Sequence, residues 1–424
     1  MDAQAGMLAR LFEHSMGLGP EWRVEDVWFE SPDSGDEELH VRVGRTPGSA
    51  VPCPECGARC GVYDARERTW RHLDIWQFRT VVHCRVPRAD CPEHGPRTAR
   101  MPWEVRPSSH FTALFEAQVL LMAMSGMTVR AISAQVRESD SRVWAMLGRA
   151  VSEAREGADY SGVTRVGVDD TARARGQRYI SVMADLDGRR VVAVTEGRDR
   201  GAPARLCEQL EAHGGDRSAV TEVTRDMASA YSLGCAEAMP NAAQTVDRFH
   251  VMQLLSKALD KTRCAEAKSC EEKRRLLRGT KYVWLKRPEN LTGGQAAKRA
   301  SLASEHLLTA RACAMVEAVR AVYSCATREE AAGELDRALS WVMHSNVPLM
   351  KVAARTIRDE REGVLNWFSA RATNGFLEGM NSVIQSLKRA SRGFRNVGYF
   401  TTMIFLRLGR LDFSAQLASG CATH

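Results

Sequence analysis

The cysteines of this 424-residue chain are clustered, and the clustering constrains the fold more than any other feature. Five of the twelve lie within 39 residues, at Cys53, Cys56, Cys60, Cys84 and Cys91. Cys53 and Cys56 are followed by Gly57, which permits the tight turn of a knuckle in which two thiolates bind one ion. A disulfide framework would distribute its cysteines more evenly, so we predict a reduced compartment and one structural Zn²⁺ site.

A second pair of ligands must complete the zinc tetrahedron. We predict that Cys84 and Cys91 supply it. The six-residue spacer between these two cysteines is wider than in a standard second knuckle, so His94 and Cys60 stay open as alternatives to Cys91 for the fourth ligand. Buried free cysteines are the simplest explanation of the cluster without a metal.

Length and charge indicate a multidomain protein with an anionic partner. At about 100–200 residues per domain, the chain corresponds to about two to four domains. The net charge of +7 comes from three segments with an excess of Lys and Arg, residues 53–110, 257–299 and 365–424. Phosphate contact is the usual reason for such segments, although solvated helical faces also carry charge runs. We find neither an apolar stretch of roughly 18 residues nor a secretory signal, so we expect a cytoplasmic protein without membrane contact.

Two short helices separated by a tight turn are predicted after an apolar helical segment at residues 112–126. They span residues 128–136 and 139–151, and Thr128 is a suitable N-cap for the first. This arrangement is typical of a helix-turn-helix, which places its second helix in the major groove of DNA. The predicted DNA contacts of this region are Arg130, Ser141, Arg142 and Arg149.

The hydrophobic period changes to two after the second helix, which predicts strands. Three antiparallel strands, at residues 165–170, 178–184 and 189–195, are followed by alternating helices and strands. That order describes a ribonuclease-H-like α/β fold. In such a fold the first and fourth strands are parallel neighbours, so carboxylates at their ends come close together. Asp169 and Asp226 occupy these two positions.

Three carboxylates in this arrangement can hold two metal ions for phosphoryl transfer. The third must come from a helix packed against the sheet edge, and Glu378 is the best candidate by position. Oxygen ligands favour Mg²⁺ or Mn²⁺ over zinc. Asp170 could replace Asp169, because alternate residues of a strand face opposite sides, and Asp247 could replace Asp226.

The 152 residues that separate Asp226 from Glu378 exceed what a compact fold needs. We therefore interpret the segment between them, which has a helical sequence pattern, as an insertion. The resulting fold class is multidomain α+β. The predicted domains are an N-terminal helix and β-hairpin (1–50), a zinc-binding module (51–110), a helix-turn-helix (111–160), the first part of the catalytic domain (161–255), an all-helical insertion (256–368), and the second catalytic part with a basic tail (369–424).

Several motifs carry a resemblance to a known protein family. The most specific are Cys53-Pro-Glu-Cys56-Gly, Val168-Asp169-Asp170, Asp226-Met with Tyr231, Val246-Asp247-Arg-Phe-His250-Val, and Thr373-Asn-Gly-Phe-Leu-Glu378-Gly-Met-Asn381 continuing to Lys388-Arg-Ala-Ser-Arg-Gly393-Phe. Nearly from end to end, the chain resembles the DDE transposases of the ISL-three (ISL3) family of bacterial insertion sequences. The resemblance implies a zinc-binding and helix-turn-helix region that recognises terminal inverted repeats. It also implies a ribonuclease-H-like catalytic domain interrupted by a helical insertion.

The family pattern implies a role for each matching residue. Asp169, Asp226 and Glu378 match the three catalytic carboxylates, which hold two Mg²⁺ (or Mn²⁺) ions, cut DNA at the element ends and join the 3′-hydroxyl to target DNA. Asp247 and His250 form the accessory Asp-x2-His motif that follows the second Asp in this and related superfamilies.

The remaining candidates contact DNA or support assembly. The predicted phosphate contacts are Arg248, Lys388, Arg389, Arg392 and Arg395. Trp284 could stack on a splayed base, although a large aromatic in a helical block is more often core. Two ends must be cut and joined, so we expect double-stranded DNA as the partner and a homodimer or larger assembly on DNA at the nucleoid. A domesticated, non-catalytic DNA-binding regulator and a structure-specific nuclease are the alternatives.

Overall fold

The computed structural model describes residues 3–31, 36–107, 109–174, 178–370, 375–391 and 393–421. The chain forms two compact units. The first contains residues 1–158 together with 398–424, and the second contains residues 159–397. The segment 369–424, predicted to belong to the catalytic domain, is therefore divided between the two units.

The first unit begins with a helix and a mixed sheet. Its elements are α1 (Ala3–Ser15), β1 (Trp22–Glu30), β2 (Glu38–Arg45), β3 (Val51–Pro52), β4 (Arg59–Cys60), β5 (Val62–Ile75), β6 (Phe78–Cys91) and β7 (Gly95–Thr98). The sheet order is β1-β2-β6-β5 with β7 on β6, and β3 pairs with β4 as a separate hairpin. Valines along β2 and β6 face the core, where Val41, Val43 and Val82 are at most 1% exposed. Because β2 lies parallel beside β6, the predicted N-terminal hairpin and the zinc segment share one sheet across residue 50.

Three helices follow, in the places predicted for the helix-turn-helix. They are α2 (Ala113–Met124), α3 (Val129–Val136) and α4 (Asp140–Glu156). The hydroxyl of Thr112 accepts a hydrogen bond from the Phe115 amide, and that of Thr128 accepts one from the Ala131 amide, so both act as N-caps. Arg137 ends α3 in the left-handed conformation, with φ of 54°, and this turns the chain into α4.

The second unit is built on a five-stranded sheet. Its elements are β8 (Arg165–Ala174), β9 (Arg178–Asp185), β10 (Arg190–Glu196), α5 (Ala202–Glu211), β11 (Glu222–Arg225), α6 (Ser229–Ala238) and β12 (Ala243–Val246). The strand order is β10-β9-β8-β11-β12. The first three strands are antiparallel and β11 is parallel to both β8 and β12, which confirms the predicted pairing of the first and fourth strands. The expectation that β8 ends at its carboxylates is wrong, since it continues beyond Asp170 to Ala174, paired with β9.

Helices occupy the chain after β12. They are α7 (Arg248–Ala267), α8 (Glu271–Leu277), α9 (Lys281–Leu285), α10 (Gly293–Ala303), α11 (Leu308–Val322), α12 (Arg328–Met343), α13 (Pro348–Asp359), α14 (Arg361–Ala370) and α15 (Gly375–Ala390). The apolar faces of α7, α11, α12 and α13 form one core, in which Leu255, Val319, Leu335 and Ile357 are at most 1% exposed. Each such side chain stabilises the fold by about 1.5–3 kcal/mol relative to exposure.

The C-terminal segment packs within the first unit. Its helices are α16 (Val397–Leu408) and α17 (Ser414–Cys421). The ring of Tyr399 stacks on that of Trp144 in α4, with centroids 4.3 Å apart. The Arg407 guanidinium donates to the Met124 carbonyl at the end of α2. Within the ranges that the structure describes, no helix is long and apolar enough to cross a membrane.

Candidate functional site

Three thiols and one imidazole meet at the edge of the first sheet. The ligand atoms of Cys53, Cys56, Cys91 and His94 all lie within 4.8 Å of one another. The Cys91 sulfur is 3.7 Å from that of Cys56 and 3.6 Å from His94 Nδ1, and the Cys53 sulfur is 4.0 Å from the same nitrogen. Ligand atoms around tetrahedral zinc are roughly 3.3–3.8 Å apart, given bonds of about 2.0–2.3 Å. The cluster therefore fits one structural zinc ion.

Two turns create this cluster. In the first, the Cys53 amide donates to the Ala58 carbonyl at 2.8 Å, and the Gly57 amide donates to the Cys53 carbonyl at 2.9 Å. Gly57 has φ of 74°, a conformation that a glycine adopts without a steric penalty. In the second turn, Cys91 ends β6 and is paired with Gly95 of β7, so His94 is brought back toward the cysteine.

Cys84, which the sequence analysis placed among the zinc ligands, lies elsewhere, and His94 takes its place. Cys84 and Cys91 stand seven residues apart on the continuous strand β6, which corresponds to roughly 20 Å. Cys84 is fully buried in the sheet core, and burial raises the pKa of its thiol to about 12. Cys60 is also outside the group of four, and its thiol donates to the Ala58 carbonyl at 3.2 Å.

In the second unit, the strand register brings Asp169 and Asp226 to the same level. Thr224 of β11 is paired with Gly167 of β8. The two aspartates each lie two residues further along their chains, at the carboxyl end of this parallel pair, and adjacent strands are about 4.8 Å apart. The Asp226 carboxylate also accepts a hydrogen bond of 2.9 Å from the Ala228 amide, which holds it in the turn after β11.

Asp169 is a largely enclosed candidate carboxylate, with 12% of its side chain exposed. Its Oδ2 accepts a hydrogen bond from the Asn381 amide of α15, and its Oδ1 accepts one of 2.7 Å from the Asp170 backbone amide. The His250 Nε2 lies 3.9 Å from Oδ1. Burial raises the pKa of Asp169 to about 6, while His250 and Asn381 act in the opposite direction. A buried carboxylate of this kind calls for positive charge.

Asp170 is a neighbouring acid with a different set of partners. Its carboxylate lies 3.7 Å from a guanidinium nitrogen of Arg198, which itself lies over the Tyr179 ring. Burial raises the pKa of Asp170, and the charge of Asp226 raises it further. Asp169 and Asp170 both line the cavity described below, so both belong to the acidic group.

Glu378 lies on α15, and its side chain is outside the described set. The backbone of α15 puts it three residues before Asn381, and residues at that spacing share a helix face. Close packing of α15 on β8 depends on Gly167, because a Cβ there would lie only 2.6 Å from Leu377 Cδ2. The helix that carries Glu378 therefore packs against the strand that carries Asp169.

A cavity of about 680 Å³ opens at this place. Residues from β8, α7 and α15 line it, and they are Asp169, Asp170, Thr171, Asp247, Phe249, His250, Gln253, Asn381, Ser382, Gln385 and Arg389. The sequence patterns predicted no role for Asn381 or Gln385. The sequence signal that could have found them is their spacing of three and seven residues from Glu378. At this spacing they share a face of α15 with Glu378.

The accessory pair Asp247 and His250 opens α7. The Asp247 carboxylate caps the helix by accepting a hydrogen bond of 2.7 Å from the Phe249 amide. His250 Nε2 lies 4.0 Å from the second oxygen of Asp247, as well as close to Asp169. The imidazole thus stands between two carboxylates at the cavity wall.

The predicted phosphate contacts near the cavity differ in accessibility. Arg389 lines the cavity and is exposed, and Arg395 is also exposed. Lys388 donates to the Ala172 carbonyl, so it fastens α15 to β8. Arg248 lies over the Tyr323 ring at 5.0 Å. Arg392 lies outside the described residues.

The predicted helix-turn-helix contacts also separate into two groups. Arg130, Ser141 and Arg142 are exposed, and Arg142 pairs with Glu138 at 2.7 Å. Arg149 is half-buried, with a guanidinium nitrogen 3.7 Å from the Glu116 carboxylate.

Trp284 does not have the accessibility that base stacking requires. It is only 3% exposed and lies in the core of the helical block, where the Cys313 thiol contacts its carbonyl. The stacking role predicted for it is therefore corrected to a core role. Its exposed neighbour is Tyr282, which is 63% exposed.

Comparison with known proteins identifies the family. Residues 166–404, more than half of the chain, match a family model described as a transposase of the ISL3 type. The chain belongs to the ISL3 family of transposases. Residues 49–94 match the zinc finger of the IS204/IS1001/IS1096/IS1165 transposases, and residues 100–151 match the helix-turn-helix domain of transposase family ISL3. The zinc-finger match includes all four clustered ligands, which supports a structural zinc ion in this ISL3 transposase.

The similarity to named relatives covers nearly the whole chain. The transposase for insertion sequence element IS1557 of Mycobacterium tuberculosis is 29% identical over 429 residues, covering 94% of this chain and 95% of the relative. The transposase for insertion sequence element IS1001 of Bordetella parapertussis is 27% identical over 404 residues, covering 93% and 97%. The chain is thus a bacterial insertion-sequence transposase, a DNA-processing enzyme with a DNA-binding helix-turn-helix.

Proposed function

We propose that this ISL3 transposase binds the terminal inverted repeats of its own element, cleaves the DNA at the element ends and joins the resulting 3′-hydroxyls to target DNA. The observation that carries the proposal is the parallel register of β8 and β11, which brings Asp169 and Asp226 to one level beneath the helix that bears Glu378. Carboxylates grouped in this way are what phosphoryl transfer between nucleic-acid strands requires.

The proposed catalytic domain has a ribonuclease-H-like fold. Its support is the strand order β10-β9-β8-β11-β12, with three antiparallel strands followed by two parallel ones. Helices α7 to α14 stand between β12 and α15, and we assign residues 256–368, which begin within α7, to the helical insertion. This assignment explains why the second and third carboxylates are so far apart in the sequence.

Asp169, Asp226 and Glu378 would hold two divalent cations, Mg²⁺ or Mn²⁺. The fit rests on an all-oxygen donor set and on the buried carboxylate of Asp169, which calls for cationic charge. When bound, the ions would supply the charge that activates the attacking oxygen and stabilises the leaving one. Asp170 is the competing choice for the first carboxylate.

The surrounding side chains have supporting roles in this proposal. Asn381 fixes the orientation of the Asp169 carboxylate through its hydrogen bond to Oδ2. His250, between Asp169 and Asp247, orients the scissile strand at the cavity wall. Arg389, exposed at the cavity, contacts a backbone phosphate of the DNA.

In the first unit, we propose Cys53, Cys56, Cys91 and His94 as the ligands of one Zn²⁺. Arg130, Ser141 and Arg142 of the helix-turn-helix would contact the inverted repeat. Since two ends have to be cut and joined, the active assembly would be a homodimer or larger on DNA. Arg149 would act indirectly, by holding α4 on α2 through Glu116.

Cleavage in vitro tests the mechanism. The substrate is a duplex that carries an element end and its flanking DNA, incubated with the purified chain and Mg²⁺. Wild type should release a 3′-hydroxyl that is then found joined to target DNA, and Asp226→Asn should abolish both steps. Asp170→Asn is the matched control and should retain cleavage, because the adjacent Asp169 is the assigned ligand.

The outcomes separate the candidate functions. Equal cleavage by wild type and Asp226→Asn would contradict the catalytic assignment. Cleavage without joining would favour a structure-specific nuclease, and repeat binding without cleavage would favour a DNA-binding regulator. Loss of activity in Asp170→Asn with retention in Asp169→Asn would transfer the role of first ligand to Asp170.

A further inference from the structure

The long hairpin of β5 and β6 ends in a two-residue loop, Trp76-Gln77, between the paired residues Ile75 and Phe78. We call residues 74–79 the hairpin tip. Trp76 is 80% exposed, although tryptophan is a large apolar residue that soluble proteins normally cover. No role for Trp76 follows from the zinc site, which lies at the opposite end of both strands.

The backbone at Trp76 is strained. Its φ of 55° lies in the left-handed region, where glycine, asparagine and aspartate are the residues usually found in hairpin loops. A bulky side chain at such a φ is a genuine outlier. Fold stability therefore does not explain a tryptophan here, and outliers of this type concentrate at functional positions.

The hairpin tip is fastened to the turn of the helix-turn-helix. Arg137, the left-handed residue between α3 and α4, donates to the Asp74 carboxylate at 2.6 Å and to the Gln77 carbonyl at 2.9 Å. Both acceptors belong to the tip. The residue that reverses the chain in front of α4 thus also holds the loop that presents Trp76.

Buried contacts strengthen this connection. The Arg71 guanidinium donates to the Val136 carbonyl at 3.1 Å and contacts Glu138. Arg79, on the other strand, pairs with Glu138 at 3.0 Å, and the Glu138 side chain is only 2% exposed. Both strands of the hairpin are therefore anchored on the segment that immediately precedes α4.

Charge around the tip is mixed, since Asp74 belongs to it and Asp36 lies 3.5 Å from Arg137, whereas the helix-turn-helix contributes exposed arginines. Arg142 in the first turn of α4 is 58% exposed, and Arg130 on α3 is exposed as well. The N-terminal residues of the second helix are those that reach base edges when a helix-turn-helix docks in the major groove. The tip thus stands beside the part of the unit that approaches DNA.

We propose that the hairpin tip is a second DNA-contacting element, a wing in which Trp76 packs as an apolar wedge against the duplex beside the bases read by α4. Aromatic and apolar side chains used in this way unstack a base step or cover its edge in the minor groove. The proposal rests on the proposed binding of inverted repeats by the helix-turn-helix. It adds a contact outside that motif, made by the hairpin whose strand β6 ends at the zinc-cluster residue Cys91.

A protein partner is the alternative occupant of an exposed tryptophan. DNA is favoured because the hairpin is fixed to a DNA-binding motif that carries exposed arginines, and because the exposed apolar side chains at the tip are few: Trp76, and Phe29, which packs on Phe78. A self-association surface would need a broad apolar area, and specific interfaces bury about 1,200–2,000 Å². Self-association is therefore an outcome that the test must detect.

The test compares the full-length wild type with Trp76→Gly and Trp76→Phe. Binding is measured by fluorescence anisotropy on a duplex from the element end and on an unrelated duplex of the same length. Trp76→Gly should weaken binding roughly tenfold, the magnitude expected for loss of one aromatic contact with a base. Trp76→Phe should restore most of the affinity. The melting temperature of Trp76→Gly should equal or exceed that of the wild type, because glycine relieves the strained φ.

A second readout locates the contact. 2-Aminopurine placed at successive positions beside the repeat should brighten at one step with wild type and Trp76→Phe, and stay dark with Trp76→Gly. Tyr63→Ala is the matched control, since Tyr63 is 57% exposed at the other end of β5, roughly 40 Å away along the strand. It should bind like wild type.

Three results would overturn the inference. They are equal affinity of wild type and Trp76→Gly, an equal loss in Tyr63→Ala, and a change in the oligomeric state of the DNA-free protein in Trp76→Gly with no change in DNA affinity. Failure of the proposed repeat recognition looks different. In that case wild type binds the two duplexes equally, while Trp76→Gly still has to weaken binding to both.

Discussion

Arg225 and Glu360 form a buried ion pair across 135 residues of sequence, with a guanidinium nitrogen and a carboxylate oxygen 2.7 Å apart. The Arg225 side chain is only 3% exposed, and its NH1 also donates to the Asp226 carbonyl at 2.7 Å. A residue of the helical block thus pairs with Arg225, which immediately precedes the candidate metal ligand Asp226. Folding of that block and the geometry of Asp226 are linked through one guanidinium.

Removing one charge of this pair should be costly. Glu360→Gln leaves the Arg225 guanidinium buried without its counter-ion, so we expect a loss of about 3 kcal/mol in the free energy of unfolding of the second unit. Denaturant unfolding measures this loss. The double variant Arg225→Met/Glu360→Leu should be clearly more stable than Glu360→Gln, because it removes both charges. A double variant as unstable as the single one would show that the Coulombic partnership is not the cause.

The zinc ligands make separable predictions. Cys56→Ser and His94→Ala should each lose about one equivalent of zinc as measured by metal analysis of the purified protein. Cys84→Ala should keep it, since Cys84 lies on β6 roughly 20 Å from the cluster. Loss of zinc from Cys84→Ala in a folded protein would restore the ligand set inferred from spacing alone.

Low pH should reduce the folding stability of the first unit because of His72. This imidazole is buried, shares a hydrogen bond of 2.9 Å with the Thr112 hydroxyl, and burial lowers its pKa from 6.5 to about 4. Below pH 6.5 the unfolded chain therefore takes up a proton that the folded chain does not. Stability falls as pH decreases through the window from 6.5 to 4, by about 2 kcal/mol at pH 5.

The pH dependence of the melting temperature checks this expectation. His72→Gln can still hydrogen-bond to Thr112 but does not titrate, so its melting temperature should fall less than that of wild type between pH 7 and pH 5. Parallel curves for the two proteins would assign the acid sensitivity to other groups.

Close packing of α15 on β8 can be tested at Gly167. Gly167→Ala would bring a methyl group to 2.6 Å from Leu377 Cδ2 and 3.1 Å from Leu186 Cδ2, so the Leu377 side chain or α15 itself has to shift. We expect a loss of about 1–3 kcal/mol in stability and a lower cleavage rate. Adding Leu377→Ala should recover part of the rate by making space. A rate unchanged by Gly167→Ala would show that cleavage tolerates movement of α15.

Local signals in the sequence sufficed for much of the fold. Thr128 as an N-cap and the alternation along β8 to β10 depend on neighbouring residues, and the structure has these elements in the predicted order, although β8 runs four residues further than predicted. Cys84 was misjudged because spacing in a sequence does not tell whether two cysteines are separated by a turn or by an extended strand. Only the pairing of β6 with β5 and β2 reveals the strand.

The side chains around the carboxylates were harder to predict. Asn381 reaches Asp169 from a helix 212 residues later, and a contact of that range follows from packing, which local patterns do not encode. Trp284 was ambiguous for a related reason, because stacking and core roles favour the same aromatic residue. Its burial depends on how α9 packs against α11.

β6 runs without interruption from Phe78, beside the hairpin tip, to Cys91 in the zinc cluster. The proposed wing and the zinc-cluster residue Cys91 therefore lie at the two ends of one strand. An exchange of the zinc ribbon between elements, over the matched residues 49–94, would therefore carry the proposed wing along with the zinc site.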